Sequence, residues 1–183
     1  WCSVARRCEQ ALADPAVAGI VITHGTDTLE ETAFFLHSVL RANKPVALTC
    51  AMRPASALSP DGPQNVRDAI AVAATPGAHG VCVVCAGVVH AARDVEKVHT
   101  YRLDAFASDA AGSLRYVEEG AVRLEKRWPE VRQGEHPVHG WPHDLDPPRV
   151  EIVFSHAGAR GALIDSLVAE HSQGTPGAVR GLV

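Results

Sequence analysis

Gly19-Ile-Val-Ile-Thr-His-Gly-Thr-Asp-Thr-Leu-Glu-Glu-Thr32 decides how this chain folds, because an apolar run stops in a polar turn and then becomes helical. Ile20, Val21 and Ile22 are β-branched and show no polar alternation, the pattern of a parallel strand covered on both faces. Thr23 to Thr28 place hydroxyls, an imidazole and a carboxylate at its C-terminal edge. In open α/β sheets ligands bind at that edge, where the following helix aims its free N–H groups. A plainer reading makes the same residues a helix start, with Asp27 or Thr28 as N-cap and Glu30 and Glu31 at the positive end of the helix dipole. Five polar residues around one glycine exceed what a cap requires.

Outward from this stretch, strands and helices alternate. Upstream, Ser3 to Leu12 carries Val4, Cys8, Ala11 and Leu12 at helical spacing, and Asp14-Pro15 ends the pattern. Downstream, Glu30 to Ala42 predicts a helix burying Ala33, Phe34, Leu36, Val39 and Leu40, closed by Asn43-Lys44-Pro45. Val46 to Thr49 predicts a second buried strand. The loop Ala51 to Pro63 is long for a compact domain, a mark of functional loops. Pro63 suits a helix start, with Val66, Ala69, Ile70, Val72 and Ala73 on its apolar face. Val81 to Cys85 predicts a third buried strand, and together these elements predict a doubly wound, mostly parallel α/β sheet with right-handed crossovers. Short strands at Val88 to Ala91, Lys97 to Thr100 and Leu114 to Leu124 predict hairpins to one side. Residues 1–126 thus form a first domain, the proline-rich and aperiodic 127–148 a linker, and 149–183 the start of a smaller α/β domain with a helix at Ala162 to Glu170 and a strand at Val179 to Val183.

Composition narrows the function. Of 183 residues 46% are hydrophobic, enough for a core, and a net charge of -4 offers no basic surface for nucleic acid. No apolar run reaches the ~18 residues of a membrane span. Cys82 and Cys85 imitate a Cys-x-x-Cys motif, but on a strand they face opposite ways and cannot share a metal. Buried structural cysteine is the better reading, and nothing calls for an oxidising compartment, which points towards the cytoplasm. His136, His139 and His143 lack acidic or cysteine partners at metal-ligand spacing, so no metal is expected.

The segment Gly19 to Leu29 resembles the second signature of the bacterial L-asparaginase and glutaminase-asparaginase family. Later landmarks of that family have likenesses in the same order: Ala51-Met-Arg-Pro54, Asp61-Gly-Pro63 with Asn65, and Arg93-Asp-Val-Glu-Lys97. The Ala-Met-Arg-Pro segment is similar to the type II form. The resemblance implies hydrolysis of L-asparagine to aspartate and ammonia through an acyl-threonine intermediate, with L-glutamine as a secondary substrate, no metal or organic cofactor, and a homotetramer. It also implies that the chain is a central portion: a Thr-Gly-Gly-Thr strand end carrying the primary nucleophile, and a Ser-Gln pair holding the substrate carboxylate, have no counterpart here. By itself such a piece is expected to be inactive.

Amide hydrolysis needs a nucleophile, a base to take its proton, and donors for the oxyanion. Thr26, Lys97 and Asp27 are residue types that serve the first two needs, since a lysine whose pKa is depressed by burial and charge is a base that a carboxylate orients. The resemblance assigns their relation: Thr26 activates or itself attacks, Lys97 is its basic partner, and Asp27 fixes both Lys97 and the substrate's α-amino group. Gly25 permits a tight turn and close approach of substrate, and Ala51 offers backbone to the ligand. His24, just before the turn, points away from Thr26 if strand geometry persists, which makes it structural. Arg53 is read as loop support. Where many relatives have Asp-Gly-Arg-Asp this chain has Ala91-Ala-Arg-Asp94, which alters a turn and leaves Lys97 in register. Two other readings stay open: an asparaginase-like subunit of a transfer-RNA-dependent amidotransferase, and a noncatalytic ligand-binding α/β module.

Overall fold

The computed structural model describes residues 1–108, 112–124, 128 and 147–183. The chain divides into two compact units, Trp1–Trp141 and Pro142–Val183. Most of the expected linker 127–148, with His136, His139 and His143, lies outside the described residues.

In the first unit, helix α1 (Cys2–Ala13) buries Ala5, Cys8 and Leu12, one stripe at helical spacing. It leads to strand β1 (Ile20–Thr23), helix α2 (Leu29–Val39), β2 (Pro45–Thr49), α3 (Gly62–Ala73) and β3 (Gly80–Cys85). Strands β1, β2 and β3 pair in parallel, Ile22 beside Leu48 and Thr49 beside Val84. Three antiparallel strands extend the same sheet: β4 (Val88–Ala91), β7 (Arg115–Glu118) and β8 (Ala121–Leu124). A separate antiparallel pair, β5 (Val95–Lys97) and β6 (Phe106–Ser108), carries Lys97.

Several local expectations are corrected. Ile20, Val21 and Ile22 are only half-buried, because β1 ends the described sheet and has a strand beside it on one side alone. Helix α2 stops at Val39, and its buried stripe runs through Leu29, Thr32, Ala33 and Leu36. Phe34 falls between these positions and is 53% exposed. In α3 the buried stripe takes in Asn65 and Asp68 beside Ala69, Val72 and Ala73, which leaves Ile70 outward. The strand expected at Lys97 to Thr100 lies instead at Val95–Lys97, and that expected at Val179 to Val183 spans Gly181–Leu182. Gly19 is needed for packing: a Cβ there would stand 2.4 Å from the carbonyl oxygen of Ala73.

The crossovers differ from expectation in a way that shapes the site. On one face of the sheet Ala33 and Leu36 of α2 pack with Val46, Leu48, Val81 and Val83; on the other Ala69 and Val72 of α3 pack with Ala47, Cys82 and Val84. The chain steps from β1 to β2 to β3 in one direction across the sheet. Two parallel crossovers that advance the same way with helices on opposite faces must have opposite hands, so one of them is left-handed. Right-handed connections dominate because strand twist favours them. The left-handed exception requires tertiary packing to override that preference.

The second unit begins with β9 (Val150–Glu151), α4 (Ala162–Ser172) and β10 (Gly181–Leu182), a parallel βαβ arrangement. Arg149 ties it together, with Nε donating to Glu151 and Nη1 to Glu170, both at 2.8 Å. Helix α4 has no buried residue, and Ile152, Phe154 and Leu163 are exposed.

Candidate active site

The loop after β1 runs to the α2 face and the loop after β2 to the α3 face, so the two part at the C-terminal edge of the sheet. In common doubly wound folds a reversal of strand order opens this kind of crevice. Here the change of crossover hand parts the two loops. Thr26 and Asp27 stand on one lip and Ala51 to Asp61 on the other.

Lys97 reaches the first lip from β5. Its Nζ donates to Thr26 Oγ1 at 2.8 Å and to Asp27 Oδ1 at 2.7 Å, while Thr26 Oγ1 donates to Asp27 Oδ1 at 3.3 Å. The backbone N–H of Lys97 donates to Glu30 Oε2 in the first turn of α2, which anchors β5 to the helix that follows the turn. Lys97's side chain is 16% exposed and Asp27's 91%, so the ammonium is sheltered and the carboxylate stands open. The Lys97 ammonium, by hydrogen bond and then by charge, and the Thr26 hydroxyl after it hold the Asp27 carboxyl below its ordinary value. The residue at the N-cap position of α2 is Thr28, yet neither it nor Asp27 caps the helix through its side chain. Asp27 spends its carboxylate on Lys97 instead, which answers the plainer reading of this turn.

His24 faces away from Thr26, but strand geometry is not the reason, since alternation puts positions two apart on one face: β1 ends at Thr23 and the turn at Gly25 parts the two side chains. Its Nδ1 lies 2.8 Å from the Gly25 carbonyl and its Nε2 3.1 Å from Thr32 Oγ1. A carbonyl only accepts, so Nδ1 carries a proton and donates to Gly25, while Nε2 meets the Thr32 hydroxyl. Trp1 Nε1 donates to the same buried Thr32 hydroxyl at 3.0 Å. This relay fastens the turn to α2. Gly25 is not in the left-handed region, and a Cβ there would meet nothing within 4 Å, so the turn itself does not demand glycine. What glycine preserves is an open backbone face.

The second lip is organised by two residues that the sequence marked only as landmarks. Asp61 accepts the N–H groups of Met52 and Arg53, each at 2.9 Å. Burial pushes its carboxyl up, but those two N–H groups, its own N–H and the Asn65 amide together hold it below the ordinary value. Asn65, buried in α3, donates from Nδ2 to the Cys50 carbonyl at 2.9 Å and accepts the Ala86 N–H at Oδ1 at 3.1 Å, clamping the ends of β2 and β3. Arg53 donates to the Ser59 carbonyl at 3.0 Å, a loop contact. Ala51, exposed on this lip, makes no side-chain link to Thr26, Asp27 or Lys97. Among the described residues no group of three or more His, Cys, Asp or Glu side chains is arranged to hold a metal ion.

A mixed sheet, parallel through β1, β2 and β3, with a threonine, an aspartate and a lysine converging at one strand end defines the class: an α/β domain that gathers polar side chains at the C-terminal edge of its parallel strands. The family model described as Asparaginase, N-terminal, matches residues 1–130, and the chain belongs to the asparaginase family. A glutaminase-asparaginase of Acinetobacter glutaminasificans is 46% identical over 120 residues, 64% of this chain and 36% of that protein. A probable periplasmic L-asparaginase of Haemophilus influenzae is 39% identical over 162 residues, 85% of this chain and 45% of that protein. The crystal structure of a probable cytoplasmic L-asparaginase from Campylobacter jejuni superposes with a TM-score of 0.85 at 33% identity, covering 100% of this chain and 57% of that one. The chain thus spans about half the length of the curated relatives it matches or less. Neither the amidotransferase nor the noncatalytic reading finds support among these relatives. They come from more than one compartment, and no helix of the described residues is long and apolar enough to cross a membrane.

Proposed function

We propose that this chain supplies the threonine, aspartate and lysine of an L-asparagine amidohydrolase, which converts asparagine and water to aspartate and ammonia. The observation that carries this reading is Lys97 Nζ held between Thr26 Oγ1 and Asp27 Oδ1, at 2.8 and 2.7 Å, on the edge of a parallel sheet. A neutral Nζ in the same place accepts the Thr26 proton along the hydrogen bond it now donates, and the threonine oxygen becomes competent to attack an amide carbon or to activate another nucleophile. The proton then resides on Lys97 as an ammonium, which Asp27 balances, and is available to the departing ammonia. Asp27, open to solvent, also suits the α-ammonium of an amino-acid substrate, whose side-chain amide then points towards Thr26. Gly25 and Ala51 offer backbone to that substrate from the two lips.

The glutaminase-asparaginase relative supports glutamine as a secondary substrate, and self-association to a tetramer is part of the same proposal. We place residues 127–148 as linker between the two domains. The decisive experiment is ammonia release from L-asparagine and from L-glutamine by the protein that carries this chain, without transfer RNA. Turnover of asparagine faster than of glutamine is expected; a requirement for charged transfer RNA, or binding of asparagine without release of ammonia, would overturn the reading.

A further inference from the structure

The described residues include five cysteines, none in a disulfide, and two of them face each other. Cys50 follows the last residue of β2 and Cys85 is the last residue of β3, so the pair continues the parallel register in which Thr49 lies beside Val84. Their sulfur atoms are 3.2 Å apart. Residues side by side on neighbouring strands have Cα atoms about 4.8 Å apart, within the span of about 4.4 to 6.8 Å that a disulfide bridges. Bonding requires the sulfurs to close to about 2.05 Å, a movement of a little over ~1 Å that side-chain rotation supplies. The backbones are already held for it: Asn65 donates to the Cys50 carbonyl and accepts the N–H that follows Cys85, fixing both strand ends against one side chain.

We propose that Cys50 and Cys85 form a reversible disulfide when the folded protein meets a small peroxide. The Cys50 thiolate sulfur attacks one oxygen of hydrogen peroxide and the O–O bond breaks, giving a sulfenic acid and hydroxide, which takes a proton to become water. The Cys85 sulfur then attacks the Cys50 sulfur, the S–O bond breaks, and the released hydroxide leaves as water with the Cys85 proton. Two thiols lose two electrons and peroxide gains them. The pair is suited to this order, because the hydrogen bond from Cys85 pulls the Cys50 thiol below its ordinary pKa while the same contact, with burial, pushes Cys85 up. Cys50 and Cys85 are both buried, so the oxidant that the proposal requires is a small molecule and not a protein disulfide. The other buried thiols lack these features: Cys82 lies on the opposite face, its pKa pushed up by burial to about 12, and burial also raises Cys8. If the proposed hydrolytic site is right, the bond forms one residue from its second lip, so that the site becomes sensitive to peroxide.

The test is mass mapping of the full chain, reduced, treated with hydrogen peroxide under native conditions, then alkylated and digested. A linked peptide pair carrying Cys50 and Cys85, lighter by two hydrogens and restored by dithiothreitol, is expected. C50S and C85S should each abolish it, and C2S should leave it intact. Recovery of Cys50 and Cys85 as alkylated thiols from treated, still-folded wild-type protein would overturn the proposal, as would linkage through Cys2, Cys8 or Cys82 alone. Should either serine variant fail to fold, the wild-type map decides by itself. Because mass and not turnover is read, failure of the linkage is separate from failure of the proposed hydrolysis.

Discussion

At the scale of single residues, the cluster at the end of β1 separates chemistry from support. Thr26→Val keeps the volume and removes the hydroxyl, so turnover of asparagine should fall by roughly 100-fold or more, the loss typical of nucleophilic or proton-transferring groups. Steady-state ammonia release measures it. Lys97→Met keeps the stem of a side chain that is 16% exposed and deletes both its charge and its base. Turnover should collapse while the urea midpoint stays within the small range of surface changes; a midpoint that fell as far as activity would make Lys97 a structural residue. His90 supports the fold through pH. Buried on β4 with Nδ1 2.7 Å from Ser108 Oγ, it is lowered by burial from 6.5 to about 4. As pH falls below 6.5 the unfolded chain binds a proton that the folded one refuses, so stability is full above that value and declines towards pH 4, levelling off beneath it. The shift sets an upper bound of about 3 kcal/mol. Urea midpoints at pH 7.5 and 5 should therefore differ more in the wild type than in His90→Gln.

At the scale of elements, the second lip depends on the start of α3. Asp61 takes two backbone N–H groups of the loop and Asn65 bridges the ends of β2 and β3, so one helix turn holds three segments. Asp61→Ala leaves those N–H groups without their acceptor and should lower stability by about 1 to 3 kcal/mol, read from chemical denaturation. If the loop carries substrate contacts, KM for asparagine should rise more than kcat falls. The sequence marked Pro63 as a helix start and Asp61 only as a landmark of the resemblance, and α3 begins there. It did not show that Asp61 faces backwards to the loop, since a helix-start aspartate has a local use that hides a distant one. Likewise the apolar residues of α2 and α3 announced helices, but Phe34 and Ile70 turned outward because three-dimensional packing selects which stripe is covered.

At the scale of the whole molecule, the second unit presents Ile152, Phe154 and Leu163 on its surface, at 66%, 85% and 60% exposure. Apolar groups in such numbers on one short unit favour association. The mass by light scattering should rise with concentration, and Phe154→Glu should shift that rise to higher concentration; a concentration-independent monomer mass would remove the self-association that we propose.

Near-neighbour chemistry along the chain was enough to establish alternating strands and helices, the three parallel strands, a polar turn at the end of β1 and thiols of Cys82 and Cys85 on opposite faces, because periodicity and turn composition are properties of adjacent residues. The likeness of short motifs brought Lys97 to Thr26 as an expectation. Only the tertiary structure measured that meeting, gave the two crossovers opposite hands, and set Cys50 against Cys85. These depend on which strands become neighbours and on which face each helix lies. Both are settled by burial of the whole core, a quantity that no local stretch of sequence contains.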